Sequence, residues 1–298
     1  MKILLLGADG QIGWELQRSL AVLGQVVALT RHSTDWCGDL LRPHALAQTV
    51  RTVQPQVIVN AAAFTAVDAA QQQCTEAYAI NAAAPQVLAQ EAWRLNACLV
   101  HYSTDYVFDG RGTDAWTEQD RPAPLSVYGQ SKWLGEQHIQ ASGCQHLILR
   151  TSGVYSARRQ NFLRTMLHLA QSRSRLQVVD DQWGAPTSAE WLADVTAHAL
   201  QQVLAQPNKG GLYHCVPSGT VSWHAYAQYV IAQAQVLAPD KQWCVQDIEA
   251  ISSNAYAAQA PRPLNSRLCT QRLQHTFGLP VPHWQDGVRR TLCEILRT

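Results

Sequence analysis

Tyr128 and Lys132 stand four residues apart, a spacing that places both on one face of a helix. A phenol beside an ammonium is a device for moving a proton to or from an oxygen. Free tyrosine, with a pKa of about 10, is a poor acid or base near neutrality, and a nearby cation brings that value down. Thr104, in Ser103-Thr104-Asp105-Tyr106 after the apolar run Cys98-Leu99-Val100, has a hydroxyl suited to holding the same oxygen. A Tyr-x-x-x-Lys occurs often by chance. It gains meaning from Gly7-Ala8-Asp9-Gly10-Gln11-Ile12-Gly13, which directly follows Ile3-Leu4-Leu5-Leu6. A strand feeding a glycine turn and a helix is a dinucleotide cradle: Gly7 allows the turn, Gly10 lets backbone approach a pyrophosphate, and Gly13 lets the helix pack on the strand. The helix N-terminus then presents free N–H groups to the phosphates. The spacing is one residue longer at the front than the usual fingerprint, and a plain strand–turn–helix can carry the same glycines. Together the three pieces point to hydride transfer between a nicotinamide and a carbonyl or alcohol. Tyr128 is the expected proton donor, and Lys132 lowers its pKa and binds ribose hydroxyls.

The cofactor form turns on the end of the second strand. An acidic residue about 20 positions after the glycine loop normally binds the ribose 2′-hydroxyl. Here Ala28-Leu29-Thr30-Arg31-His32 carries none, and Arg31 suits a 2′-phosphate, which favours NADPH with NADH as the alternative. Arg31 as a solvated loop charge is the competing reading. Asp39-Leu40, after Cys37-Gly38, is placed to meet the adenine. Asp105 and Asp109 invite a metal or acid role, but a loop carboxylate bound to backbone N–H groups or a sugar hydroxyl is the preferred reading. Ser152, Asn60 and Asn81 fall at element ends and suit structural hydrogen bonding equally well.

These groups need a scaffold. Short apolar strands recur at 3–6, 26–29, 57–59, 99–102 and 147–149, with helical stretches between them, among them 82–95 and 134–141. In the first helix Ile12, Leu16 and Leu20 form one apolar face. Alternation of nearly all-apolar strands with helices predicts an α/β fold, a Rossmann-type doubly wound parallel sheet covered on both faces. After about Gly153 the pattern changes to helices at 161–171, 190–204 and 223–237, separated by loops rich in Gly, Pro and Ser. The expectation is an NAD(P)-binding domain over 1–152 and a smaller, interleaved α/β region over 153–298 that is mainly substrate-binding. The stretch 187–216, with a strand at 211–216, is expected to return to the first domain.

Composition excludes several classes. The 298 residues are 47% hydrophobic and 15% charged with a formal net charge of +1, which gives no broad electrostatic footprint for nucleic acid or an anionic membrane. No apolar run is long enough for a signal segment or a membrane span, so a soluble, cytoplasmic protein is expected. The eight cysteines contain no C-x-x-C pair and are read as free thiols, and the eleven histidines show no zinc spacing.

The chain resembles the extended short-chain dehydrogenase/reductases and, nearly end to end, the dTDP-4-dehydrorhamnose reductases among them. The resemblance is carried by Gly10-Gln11-Ile12-Gly13-Trp14-Glu15-Leu16, Val59-Asn60-Ala61-Ala62-Ala63, Thr65-Ala66-Val67-Asp68 and 101–108. More specific still are Asp181-Gln182-Trp183-Gly184-Ala185-Pro186-Thr187 and Arg262-Pro263-Leu264-Asn265-Ser266. It implies NAD(P)H-dependent reduction of the C4 keto group of a nucleotide sugar, a step of dTDP-rhamnose and lipopolysaccharide O-antigen biosynthesis. Thr104, Tyr128 and Lys132 would be the catalytic trio. Gln11, Ile12, Asp39, Leu40, Ala63, Thr65 and Tyr102 would line the cofactor, with Phe64 at a position more usually His beside the nicotinamide. Thr104, Asp105 and Gly153 would face the sugar. Superfamily dehydratases follow this Thr with Asp-Glu, whereas Thr104 is followed by Asp105-Tyr106, which favours simple reduction. The resemblance also implies a homodimer with magnesium at Glu15, Glu190 and Glu294. Gly153 departs from a usual Trp, and Ala70-Gln71 from Ala-Glu. The first departure keeps open a different nucleotide 4-keto-sugar. A non-catalytic NADP-binding regulatory subunit, a kind of relative known in the superfamily, is the third reading.

Overall fold

In the computed structural model, which describes residues 1–256 and 258–296, the first half of the chain alternates strand and helix. It runs β1 (Lys2–Leu6), α1 (Gln11–Ala21), β2 (Gln25–Leu29), α2 (Pro43–Val53), β3 (Val57–Asn60), α3 (Val67–Gln72) and α4 (Cys74–Tyr78). A π-turn at Ala79–Ala83 leads into α5 (Ala84–Leu95), followed by β4 (Cys98–Thr104), a 3-10 turn at Asp105–Val107, α6 (Val127–Ala141) and β5 (His146–Thr151). The second half contains β6 (Val154–Tyr155), α7 (Phe162–Ser172), β7 (Arg175–Val179), β8 (Trp183–Gly184), β9 (Thr187–Ser188) and α8 (Ala189–Ala205). It ends with β10 (Gly211–His214), β11 (Val221–Ser222), α9 (Trp223–Leu237), β12 (Asp247–Ile251), α10 (Gln271–Phe277) and α11 (Trp284–Leu296).

Six strands form one parallel sheet in the order β10-β5-β4-β3-β1-β2. The chain steps outward in opposite directions from β1 and β3, so the crevice for a ligand opens beyond the carboxyl ends of those strands. Ile3, Leu4, Leu5 and Leu6 are fully buried, as a central strand covered on both faces requires. On one face Leu16 and Leu20 of α1 pack with Leu192, Val195 and Leu200 of α8. On the other, Leu46 and Val50 of α2 pack with Leu88 and Ala92 of α5. The close approach of α1 to the sheet depends on Gly13: a Cβ there would lie 1.9 Å from the Gly7 carbonyl oxygen.

The strand expected at 211–216 spans Gly211–His214 and pairs in parallel with β5. α10 also returns to the sheet. Its Leu273 and Phe277 belong to the first core, and the Phe277 ring meets Tyr213 of β10 edge-on at 4.9 Å, closing that edge of the sheet. A second core gathers α7, α9 and α11 with the parallel pair β7–β12 around Tyr226, Leu163, Val230, Trp284 and Val288. α6 starts seven residues before the helix expected at 134. Ser126 caps it, its hydroxyl accepting from Gly129 N at 3.2 Å, and its first two turns carry polar groups that face the crevice. Among the described residues no helix is long and apolar enough to cross a membrane.

Candidate active site

The carboxyl ends of β1, β3, β4 and β5 form one wall of a cleft of about 690 Å³, and segments around β8, β11 and Ser266 form the other. At one end lies the glycine loop. Gly10 precedes α1 without any side-chain cap, so the first N–H groups of the helix are free for a ligand. Gly7, Gly10, Gln11 and Ile12 line the cleft, while Gly13 serves the helix packing described above. The loop is tied to the second half of the chain. Gln11 Oε1 accepts from Asn161 Nδ2 at 2.8 Å and from Ser156 Oγ at 3.1 Å. The Arg159 guanidinium binds both the carbonyl oxygen (2.8 Å) and the carboxylate (2.5 Å) of Asp9.

Past the end of β2, Arg31, Asp39 and Leu40 also line the cleft. Arg31 is exposed, with its Nε 3.9 Å from Asp39 Oδ1, and that oxygen accepts from Leu41 N at 3.0 Å. Past the end of β3, Ala63 and Thr65 form part of the wall and Phe64 does not. Asn81, on the π-turn, binds Phe64 N (2.9 Å) and O (3.0 Å) as well as Ser131 Oγ of α6 (3.0 Å), which fixes the backbone of this wall against the helix. Asn81 therefore acts structurally and fixes the Phe64 backbone beside the cleft.

Thr104, the last residue of β4, donates to Asp105 Oδ1 at 3.0 Å and accepts from Tyr106 N at 3.1 Å. Its hydroxyl also reaches that of Tyr128, in the first turn of α6. α6 can lie this close because residue 129 is glycine: a Cβ there would be 2.2 Å from the Tyr106 carbonyl oxygen. Lys132, one turn on, is buried; its Nζ donates to the Tyr102 carbonyl at 2.5 Å and lies 3.1 Å from His101 Nε2. The expected lowering of the tyrosine pKa is not found in this arrangement. Burial pushes Tyr128 up to about 12, opposed by the Thr104 hydrogen bond, and burial brings Lys132 down to about 8. Near neutrality Tyr128 therefore keeps its proton, as a donor to a developing alkoxide must.

The profile of the RmlD substrate binding domain matches residues 1–297. The chain belongs to that family. It is 48% identical over 298 residues to the dTDP-4-dehydrorhamnose reductase of Escherichia coli K12, covering 100% of this chain and 99% of that one. Among solved structures it is similar to the dTDP-4-dehydrorhamnose reductase of Clostridium acetobutylicum, with a TM-score of 0.89, 31% identity and 100% of both chains covered. It is also similar to the Bacillus anthracis dTDP-4-dehydrorhamnose reductase in complex with NADP, with a TM-score of 0.87 and 29% identity over 98% of this chain and 99% of that one.

In this RmlD-family chain the cleft suits a nicotinamide dinucleotide. The uncapped α1 N-terminus accommodates phosphate, and the buried hydroxyls of Ser103 and Thr151 line the cleft with no partner in the protein. A buried polar group without a partner costs stability until a ligand supplies one. Asp105 is buried beside them. Burial lifts its carboxyl to about 6, against hydrogen bonds from Ser266, Thr104 and Ser152. Gly153 borders the cleft, and its Cβ position would lie 3.5 Å from the Trp223 ring. Trp223, packed on Phe162 with centroids 4.7 Å apart, and Trp183 supply aromatic surface around that opening.

Several cleft residues were given no role from the sequence: Ser103, Gln182, Trp183, Trp223, Tyr226 and Ser266. The motifs at 181–187 and 262–266 hold three of them, and only the fold shows that both motifs face Thr104. Arg262 is bound by Asp68 (2.7 Å), which ties the later motif to α3. The structure lends the implied magnesium set no support. Burial, with the charges of Glu190 and Glu294, raises the pKa of Glu15, but Glu190 is held by Arg290 at 2.7 Å and Glu15 lies 3.9 Å from Arg18. Among the described residues no three His, Cys, Asp or Glu side chains are grouped closely enough to hold a metal ion. Asp109 pairs with Arg111 at 3.6 Å and donates no ligand to such a group.

Proposed function

We propose that this chain reduces the C4 keto group of dTDP-4-dehydro-L-rhamnose with NAD(P)H to give dTDP-L-rhamnose. The observation that carries the reading is the convergence of Thr104, a protonated Tyr128 and Lys132 on a cleft that runs on to an uncapped glycine-loop helix. The relationship to dTDP-4-dehydrorhamnose reductases over the full length supports the same sugar.

A reduced nicotinamide bound along this cleft would supply the hydride for the C4 carbon. Thr104 holds the C4 oxygen by its hydroxyl, and Tyr128 gives that oxygen its phenolic proton as negative charge develops. The tyrosinate left behind is favoured by a cation one helical turn away, the role assigned to Lys132 when it is protonated. Asp105, fixed by three hydroxyls, is placed to bind a sugar hydroxyl. Arg31 at the end of β2 favours NADPH over NADH, and with the family relationship the finer reading is a cytoplasmic homodimer.

The test is NADPH oxidation, followed by its near-ultraviolet absorbance, with dTDP-4-dehydro-L-rhamnose generated by coupled upstream enzymes. Turnover that requires Tyr128 establishes the reading. Tight NADPH binding without turnover moves the assignment to another 4-keto-sugar or, if a partner enzyme co-purifies, to a regulatory subunit.

A further inference from the structure

Behind Lys132 lies a buried polar chain that the reduction as described does not use. Asn60 at the end of β3, His101 in β4 and Lys132 in α6 are each no more than 2% exposed. Asn60 Nδ2 is 3.2 Å from His101 Nδ1, and His101 Nε2 is 3.1 Å from Lys132 Nζ. The amide orientation is set by the backbone that follows β3, because Ala62 N donates to Asn60 Oδ1 at 3.3 Å. Asn60 then offers its NH2 to the ring, so His101 Nδ1 is an acceptor and the ring proton sits on Nε2, facing Lys132. Two protonated donors cannot share that contact. In this tautomer Nζ must accept, as an uncharged amine. An ammonium at 132 needs the ring proton on Nδ1 and the Asn60 amide turned to receive it, which releases the Ala62 N–H.

We propose that His101, set by Asn60, is a positioning residue that seats the Lys132 amine against the Tyr102 carbonyl and couples its protonation to a proton shift in the Asn60–His101 pair. This rests on the reading above in giving Lys132 a part in the reduction. The other charges near the chain are paired and do not replace it: Glu136, one turn beyond Lys132 on α6, is bound bidentately by Arg150 of β5 at 2.8 and 2.6 Å. The imidazole itself stays neutral, since burial, and the Lys132 charge whenever that amine is protonated, hold its pKa well below the usual value.

The experiment is a pH titration of the lysine 13Cε resonances by NMR. The chain has four lysines, Lys2, Lys132, Lys209 and Lys241, so the Lys132 signal is assigned by its loss in Lys132→Met. The wild-type midpoint is expected near 8. His101→Gln, whose amide can turn its oxygen to an ammonium without a coupled proton shift, should raise the midpoint by about one pH unit. His101→Leu, which offers nothing, should lower it, and the alkaline limb of kcat should follow in each variant while KM for NADPH changes little. Equal midpoints in all three proteins, or shifts of the same sign in both variants, would overturn the proposal and leave His101 a space-filling residue. If His101→Leu does not fold, an unchanged midpoint in His101→Gln is sufficient to overturn it. The titration needs no turnover, so a failure to reduce this sugar is distinguished from a failure of the relay.

Discussion

Replacing Tyr128 by Phe removes one oxygen from the cleft and nothing else. The ring keeps its edge-on contact with Tyr106, at 5.7 Å between centroids, so α6 retains its seat on the 3-10 turn. The hydroxyl's protein partner, Thr104, remains bonded to Asp105 and Tyr106 N, so no buried group is orphaned and the stability change should be no more than about 1 kcal/mol. The glycine-loop cradle lies on other elements and Lys132 keeps its contacts with Tyr102 and His101, so NADPH affinity should be nearly unchanged. Turnover should fall at least ~100-fold, since a positioned general acid contributes roughly 10²–10⁴, or about 3–5 kcal/mol of barrier. The next acid in line is Asp105, which reaches the site through Thr104 and gives up its proton at about pH 6, so it offers no rescue at neutral pH. The assay is single-turnover NADPH oxidation at saturating sugar, paired with NADPH binding by fluorescence. Turnover within about tenfold of wild type would remove Tyr128 from the role of proton donor. A parallel collapse of NADPH affinity would show that the hydroxyl acts in binding instead.

Arg31→Ala should weaken NADPH by about tenfold and NADH much less, measured by dissociation constants at fixed salt; equal losses would mean that the guanidinium does not read a 2′-phosphate. Asp105 holds its proton to about pH 6 in the folded state against about 4 when unfolded, so its favourable contribution is complete below pH 4 and disappears as pH rises through 6. That swing is worth about 3 kcal/mol, and Asp105→Asn should flatten the corresponding fall of Tm between pH 4 and 7; an unaltered Tm profile would refute it. Glu136→Gln strips the counter-charge from buried Arg150, whose third nitrogen already lacks a partner, and should cost about 3–5 kcal/mol in urea unfolding. A loss under 1 kcal/mol would mean that water reaches the guanidinium.

The features legible in the sequence are those with local causes. A glycine loop after an apolar strand is a short-range pattern, and so is the helix expected at 223–237, which forms over those residues. The start of α6 was hidden because Tyr128 and Lys132 face a cleft and Ser131 is bonded to Asn81, so the apolar period begins only after them. β7 and β12 pair from distant parts of the chain, and neither run alone distinguishes a strand from a loop. The direction of the Tyr128 shift was missed for a related reason. Spacing puts an amine one turn away, but only the fold shows that the amine turns toward Tyr102 and His101 and that burial dominates. Of the carboxylates read as a magnesium set, Glu190 is drawn off by Arg290 from α11, whose approach no local pattern shows.

The cover that α8 lays over α1, with β10 and α10 closing the far edge of the sheet, has a consequence for how the protein is made. Leu16 and Leu20 leave the ribosome long before Leu192 and Leu200, and Phe277 follows only near the end. The first half of the chain emerges with one apolar face of its sheet uncovered, and it stays so for most of translation. Such a surface is a target for chaperones and for aggregation, and a stop codon in the second half leaves it bare permanently. The dinucleotide cradle is thus no detachable cassette. A fusion that borrows residues 1–152 alone would carry an unfinished sheet, while an exchange of the Arg175–Val179 and Asp247–Ile251 pair, which touches only the second core, leaves that sheet intact.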